Sequence, residues 1–179
     1  MSLWMPPPGE ESDIAELAKS VLERLLAEMG VVASVMLQAE APVEGGEEAA
    51  APVEGEEEAA VPIAFDIKGD DLGILIGRRG QALFYLQYIV RLIVAHQTKT
   101  WAPIIIDVEG YKQRRYEALR ALAWRLAEQV KVRGVPFSLE PMSAYERRII
   151  HIALADHPDV TTQSIGEGEA RKVVILPKE

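Results

Sequence analysis

Apolar positions recur at helical spacing in four stretches of this chain, and β-branched runs fill the gaps between them. Over residues 13 to 29, Ile14, Leu17, Val21, Leu25 and Met29 lie on one helical face, with Ser12 or Asp13 placed to cap it and Gly30 to stop it. Residues 31 to 37 and 61 to 68 read as strands, and a short helical turn is expected from Gly69 or Asp70 to Ile76. Leu83, Leu86, Val90, Ile93 and Val94 mark the second long helix, and the Ile104-Ile105-Ile106 run marks a buried strand over 103 to 108. Gly110 opens a third helix carrying Tyr111, Leu119, Leu122, Leu126 and Val130, which ends near Gly134. The first part therefore reads helix, strand, strand, helix, helix, strand.

The last part is smaller. Residues 135 to 139 are expected to form a strand, and Ser143 and Glu146 have the spacing of a capping box opening a helix buried through Tyr145, Ile149 and Ile152. That helix should stop before Pro158. Residues 160 to 164 and 172 to 176 are short strands around the turn Gly166-Glu167-Gly168. The class is α/β (α+β), with a second α/β unit near the lower size limit for independent folding.

Charge changes the picture. The net charge of -9 lies almost wholly in residues 1 to 60, which hold 2 basic and 14 acidic side chains; residues 61 to 179 hold 17 basic and 14 acidic ones. Much of the acidity sits in a near-perfect ten-residue duplication, residues 41 to 50 and 51 to 60, rich in Pro, Gly and Glu. Such a segment cannot bury enough surface to offset its ordering entropy, so residues 39 to 60 are expected to form a disordered acidic insertion. Residues 1 to 12 are expected to be a disordered end or a cloning remnant. With no cysteine, no thiolate metal site or disulfide exists, and no stretch approaches membrane-spanning length. A cytoplasmic protein without membrane insertion is expected.

In the remainder, basic residues come in adjacent pairs: Arg78 and Arg79, Arg114 and Arg115, Arg147 and Arg148, Arg171 and Lys172. The first pair sits inside Gly77-Arg78-Arg79-Gly80, just before a helix. Glycines there let a phosphodiester approach the unpaired amides and positive dipole end of that helix, and the two arginines add full charges beside it. The motif reads as a clamp for a nucleic-acid backbone.

With the element order above, Gly77-Arg78-Arg79-Gly80 resembles the loop of a type II KH domain, a family in which this loop clamps about four nucleotides. Arg147 and His151 have the Arg-x-x-x-His spacing of the R-three-H domain, associated with single-stranded nucleic acid. Residues 107 to 111, Arg114 and Arg115, residues 140 to 142 and 145 to 151, and residues 162 to 166 with Arg171 together resemble the Jag (SpoIIIJ-associated) family of bacterial KH plus R-three-H proteins. Many members also carry a small N-terminal Jag domain and a long linker, for which this chain has no room. The resemblance implies a KH domain over 13 to 109, a connecting helix over 110 to 134 and an R-three-H domain over 135 to 179. It also implies non-catalytic binding of single-stranded RNA, or single-stranded DNA in its place. A post-transcriptional role in cell elongation, division or envelope growth follows, with a small single-KH protein or a second copy as partner. The rival reading is an interaction scaffold whose KH surface mediates pairing.

The expected nucleic-acid contacts are Gly77, Arg78, Arg79, Gly80, Arg147, His151, Arg148 and Arg171. For Arg147 and His151 the alternative is an exposed helix face; for Arg148 and Arg171 it is ion pairing with Glu146 or Glu169. Leu83 and Leu86 either line a base groove or belong to the core. Of Tyr85, Tyr88, Tyr111 and Trp124, packing is favoured over base stacking for most. No catalytic site or cofactor is expected: nucleotide-binding glycine motifs are missing, and His151, Asp156 and His157 lack the spacing of a metal site.

Overall fold

The computed structural model describes residues 10–38 and 62–178. The acidic duplication and residues 1–9 lie outside the described residues, while residues 10–12 of the expected disordered end open the first helix. The chain divides into two compact units that meet between Lys112 and Gln113.

In the first unit, helix α1 spans Glu10–Glu28, strand β1 Ala33–Gln38 and strand β2 Ile63–Gly69. Short helix α2 (Gly73–Ile76) and a 3₁₀ turn (Arg78–Gly80) lead into α3 (Gln81–Thr98), and β3 (Ile104–Val108) follows. The helix, strand, strand, helix, helix, strand order is as expected. β2 is central, antiparallel to β1 and parallel to β3, with Ile63 opposite Ile104 and Ile67 opposite Val108. A parallel pair needs a crossover, which α2 and α3 provide. The core joins Phe65, Ile67, Ile104 and Ile106 of the sheet to Leu22 of α1 and Leu83, Val90 and Val94 of α3.

Two details of the helices differ from the sequence reading. α1 starts at Glu10, so Ser12 and Asp13 lie inside it and cap nothing. Its buried line is Ala18, Leu22 and Leu26; Ile14, Leu17, Val21 and Leu25 form a half-buried edge, and Met29 is exposed. The face is centred one position further on, where α1 packs on α3 and β1. In α3, polar Gln87 and Arg91 are buried along with the expected stripe. They serve the backbone of edge strand β3: Gln87 Oε1 accepts from the Ile106 amide at 2.9 Å, and Arg91 Nε donates to the Ile104 carbonyl at 2.7 Å. Edge groups buried without such partners would be costly.

Beyond β3 the chain turns through Glu109 (φ 51°) and Gly110 (φ 69°) into α4 (Tyr111–Arg133). Buried carboxylates hold the turn: Asp66 Oδ1 accepts from the Glu109 amide, and Asp107 Oδ1 from the amides of Val108 and Lys112.

The second unit holds most of α4, β4 (Phe137–Ser138), α5 (Ala144–Ala153), β5 (Val160–Ile165) and β6 (Lys172–Pro177). β6 is central in an antiparallel β4-β6-β5 sheet. Its core gathers Leu119, Ala123, Leu126 and Val130 of α4 with Ile149 and Ile150 of α5 and Val173 and Ile175 of β6. The strand expected over 135 to 139 shrinks to two residues, since Pro136 has no amide to give a ladder. The capping box forms as expected, with Ser143 Oγ accepting from the Glu146 amide at 3.2 Å and Glu146 Oε2 from the Ser143 amide at 3.3 Å. Ile152 is not part of the buried stripe: it is 61% exposed, and Ile150 takes the inward position. The face that packs runs through Glu146, Ile149, Ile150 and Leu154, one step round the helix from the expected line.

Candidate nucleic-acid interface

Backbone geometry explains both glycines of the loop. Gly77 has φ 67° and ψ -168°, a region that is essentially glycine-only, and a Cβ there would stand 2.6 Å from the Ala82 Cβ. Gly80 is left-handed at φ 80°, and its added Cβ would lie 3.0 Å from the ring of Tyr111. Between them Arg79 takes a left-handed conformation (φ 56°, ψ 34°), a costly choice for a residue with a side chain. Arg78 is exposed and Arg79 half-buried. Gly80 is the N-cap of α3 and no side chain caps that 18-residue helix, so its first turn faces the loop with its positive end. Two arginines and a helix N-terminus thus share one turn of the chain.

The second cluster lies between α5 and β5. Arg147 and His151, one helical turn apart, face Thr162 and Ser164, alternate residues on one side of β5. Arg147 donates from one terminal nitrogen to Ser164 Oγ at 3.1 Å, and its buried Nε has no hydrogen-bond partner among the described residues. His151 Nε2 lies 2.8 Å from Ser164 Oγ and Nδ1 lies 2.7 Å from Thr162 Oγ1. Burial, then the nearby Arg147 charge, lower the His151 pKa below its ordinary value and favour the neutral ring. Burial, then Arg171, lower that of Arg147, so Arg171 is near enough to be felt electrostatically. Among the described residues, no carboxylate pairs with Arg147 or Arg171. The cluster is a cationic site without a carboxylate partner for Arg147 or Arg171 among the described residues.

Arg147, His151 and Arg171 thus come together, whereas Arg148 lies on the exposed side of α5. Arg147 and His151 do not form the bare helix face considered as an alternative. Nor is Glu146 the partner of Arg171: its Oε1 takes Nε and a terminal nitrogen of Arg115 at 2.8 and 2.7 Å, and its other oxygen serves the cap. Leu83 and Leu86 are buried core residues. Tyr85 and Tyr88, two of the four rings of which most are expected to pack, are instead 54% and 47% exposed. They continue an exposed apolar strip on α3 with Phe84, Ile89 and Leu92, and Phe84 meets Tyr85 edge to face at 5.5 Å. His157 is buried beneath Trp124, at a ring separation of 5.1 Å, with Nδ1 accepting from the Asp159 amide. That is a structural role. The residues missed from sequence are Thr162 and Ser164; two hydroxyls at i and i+2 on a strand beside an Arg-x-x-x-His helix were the available signal.

A Gly-x-x-Gly loop between two helices that pack on a three-stranded sheet, followed by an Arg-x-x-x-His helix on a second sheet, defines a two-module KH plus R-three-H architecture. Residues 38–106 match the family described as KhpA/KhpB, KH domain, and residues 117–177 match the R-three-H domain family. The chain is accordingly KhpB-like, carrying a KH domain of the KhpA/KhpB kind followed by an R-three-H domain. It is 48% identical over 113 residues to the RNA-binding protein KhpB of Clostridium symbiosum, covering 63% of this chain and 51% of the relative. To KhpB of Bacillus subtilis it is 36% identical over 118 residues, covering 65% and 57%. To that of Lactiplantibacillus plantarum it is 35% identical over 103 residues, covering 58% and 32%. The chain thus spans about half the length of the first two relatives. Among the described residues, no helix is long and apolar enough to cross a membrane, and no group of His, Cys, Asp or Glu is arranged to hold a metal ion.

Proposed function

We propose that this chain binds single-stranded RNA without catalysis, through the Gly77–Gly80 clamp and the Arg147–His151 cluster. The observation that carries the reading is the clamp itself: two glycines in conformations that side chains resist, two arginines between them, and an uncapped helix start behind. Strain of this kind persists where function needs the shape. In this reading the clamp holds phosphates through Arg78, Arg79 and the amides, while Arg147 takes a phosphate through its free edge, aided by Arg171 and more loosely by Arg148. His151 offers a flat ring and a fixed dipole. The relatives are named as RNA-binding proteins, which supports RNA over DNA. Two weak modules on one chain reinforce each other through effective concentration, by about 10² to 10⁴ when the strand spans both.

The test is fluorescence-anisotropy titration with a randomised single-stranded RNA pool, competed by duplex RNA and by single-stranded DNA. The wild type is expected to bind the single-stranded pool and to resist duplex competitor. Arg78→Asp/Arg79→Asp is expected to lose binding while its circular dichroism stays unchanged. Equal binding by wild type and double variant would overturn the reading.

A pairing role for the KH surface has its own support, the exposed strip of Phe84, Tyr85, Tyr88, Ile89 and Leu92 on α3. Contiguous apolar exposure of this kind marks interaction sites. It suits a single-KH protein or a second copy of this chain, and through such a partner the inferred role in cell elongation, division or envelope growth. Tyr88→Glu should convert any dimer seen by analytical ultracentrifugation to monomer; an unchanged mass would exclude the strip.

A further inference from the structure

The Arg147–His151 cluster contains a chain of polar atoms that donor and acceptor chemistry allows to run in two directions and that the Arg147 charge orders in one. An arginine only donates, so the 3.1 Å contact makes Ser164 Oγ the acceptor of an Arg147 proton. Ser164 has one proton to give, and His151 Nε2 lies 2.8 Å away. A hydroxyl that accepts from a cation is polarised into a stronger donor. Giving that proton to Nε2 also turns the imidazole lone pair toward Arg147 and its N–H away from that charge. With Nε2 accepting, a neutral ring carries its proton on Nδ1 and donates it to Thr162 Oγ1, 2.7 Å away. The Thr162 hydroxyl hydrogen is then left over. Among the described residues no acceptor takes it.

We propose that Thr162 is a further nucleic-acid contact of this site, a hydroxyl donor to a backbone oxygen, and that Ser164 is the positioning residue that aims Arg147 and fixes the His151 tautomer. The proposal rests on the RNA-binding reading above. It adds that the second site presents a fixed pair of donors: the free edge of Arg147, and the Thr162 hydroxyl at the far end of the relay. Arg147 itself is steered by Ser164 because no carboxylate holds it.

Two readouts on the full chain decide it. Long-range proton–nitrogen NMR of the ligand-free protein at neutral pH is expected to find His151 protonated on Nδ1 in the wild type, and to lose that preference in Ser164→Ala. Ser164→Thr, which keeps the hydroxyl, should restore it. A wild-type ring protonated on Nε2 would overturn the relay whether or not RNA binds. In anisotropy titrations with the single-stranded RNA pool, Thr162→Val, which keeps shape and loses the donor, should weaken binding about tenfold, the scale of one charge-assisted hydrogen bond. Thr162→Ser should retain it. Unchanged affinity of Thr162→Val beside a weakened Arg147→Ala would remove Thr162 as a contact. If the wild type binds no RNA, the RNA-binding reading fails and the contact with it, while the tautomer measurement still decides the relay.

Discussion

Single residues carry the clamp. Gly77 occupies a conformation closed to side chains and abuts Ala82, so Gly77→Ala must shift the loop and is expected to abolish single-stranded RNA binding in anisotropy titrations. Arg79 allows a sharper comparison. Arg79→Ala and Arg79→Gly remove the same guanidinium and should weaken binding alike, but only Gly relieves the left-handed strain. Urea denaturation is expected to find Arg79→Gly more stable than Arg79→Ala by about 1 kcal/mol; the reverse order would mean the left-handed turn is absent in solution. His151 adds a pH signature. Burial and Arg147 depress its pKa in the folded state, so its contribution is complete above the unfolded value of 6.5 and is lost as pH falls toward and through the folded value. The wild type should therefore lose more stability than His151→Gln when pH drops from slightly alkaline to about 5, as read by thermal melts.

At the scale of elements, the clarity of the sequence depended on what packs and what merely repeats. The Ile104-Ile105-Ile106 run announced β3 because a strand buried on both faces leaves no polar alternation. The Ser143 and Glu146 spacing announced the start of α5 because a capping box is a local device; Ser143→Ala should cost about 1 kcal/mol in chemical denaturation. The faces of α1 and α5 were each read one step off, since Leu17 and Leu22, or Ile150 and Ile152, are equally apolar and only the neighbouring element chooses between them. Gln87 and Arg91 were invisible as interior residues because their burial answers backbone groups of β3, 13 to 19 positions away. The loop glycines and the Arg147–His151 pair were legible as a local motif, whereas their partners Thr162 and Ser164 come from a strand that only the fold brings near.

For the whole molecule, sign and placement of charge matter more than the sum. A chain of net charge -9 presents Arg147 and Arg171, which have no carboxylate partner among the described residues, in the second unit and a doubly basic loop in the first. In the proposed reading, covalent joining of the two modules raises the affinity of two modest sites. The most direct measurement is the salt dependence of RNA binding: Kd for a single-stranded RNA pool across a range of salt concentrations, for the wild type, Arg78→Asp/Arg79→Asp and Arg147→Ala. With Arg78, Arg79 and Arg147 each on a phosphate, log K against log salt should fall with a slope near about -2, from roughly -0.7 per contact. The slope should become shallower by about one contact in Arg147→Ala and collapse in the loop variant. A flat salt dependence, or one indifferent to both sets of substitutions, would contradict the two-site account.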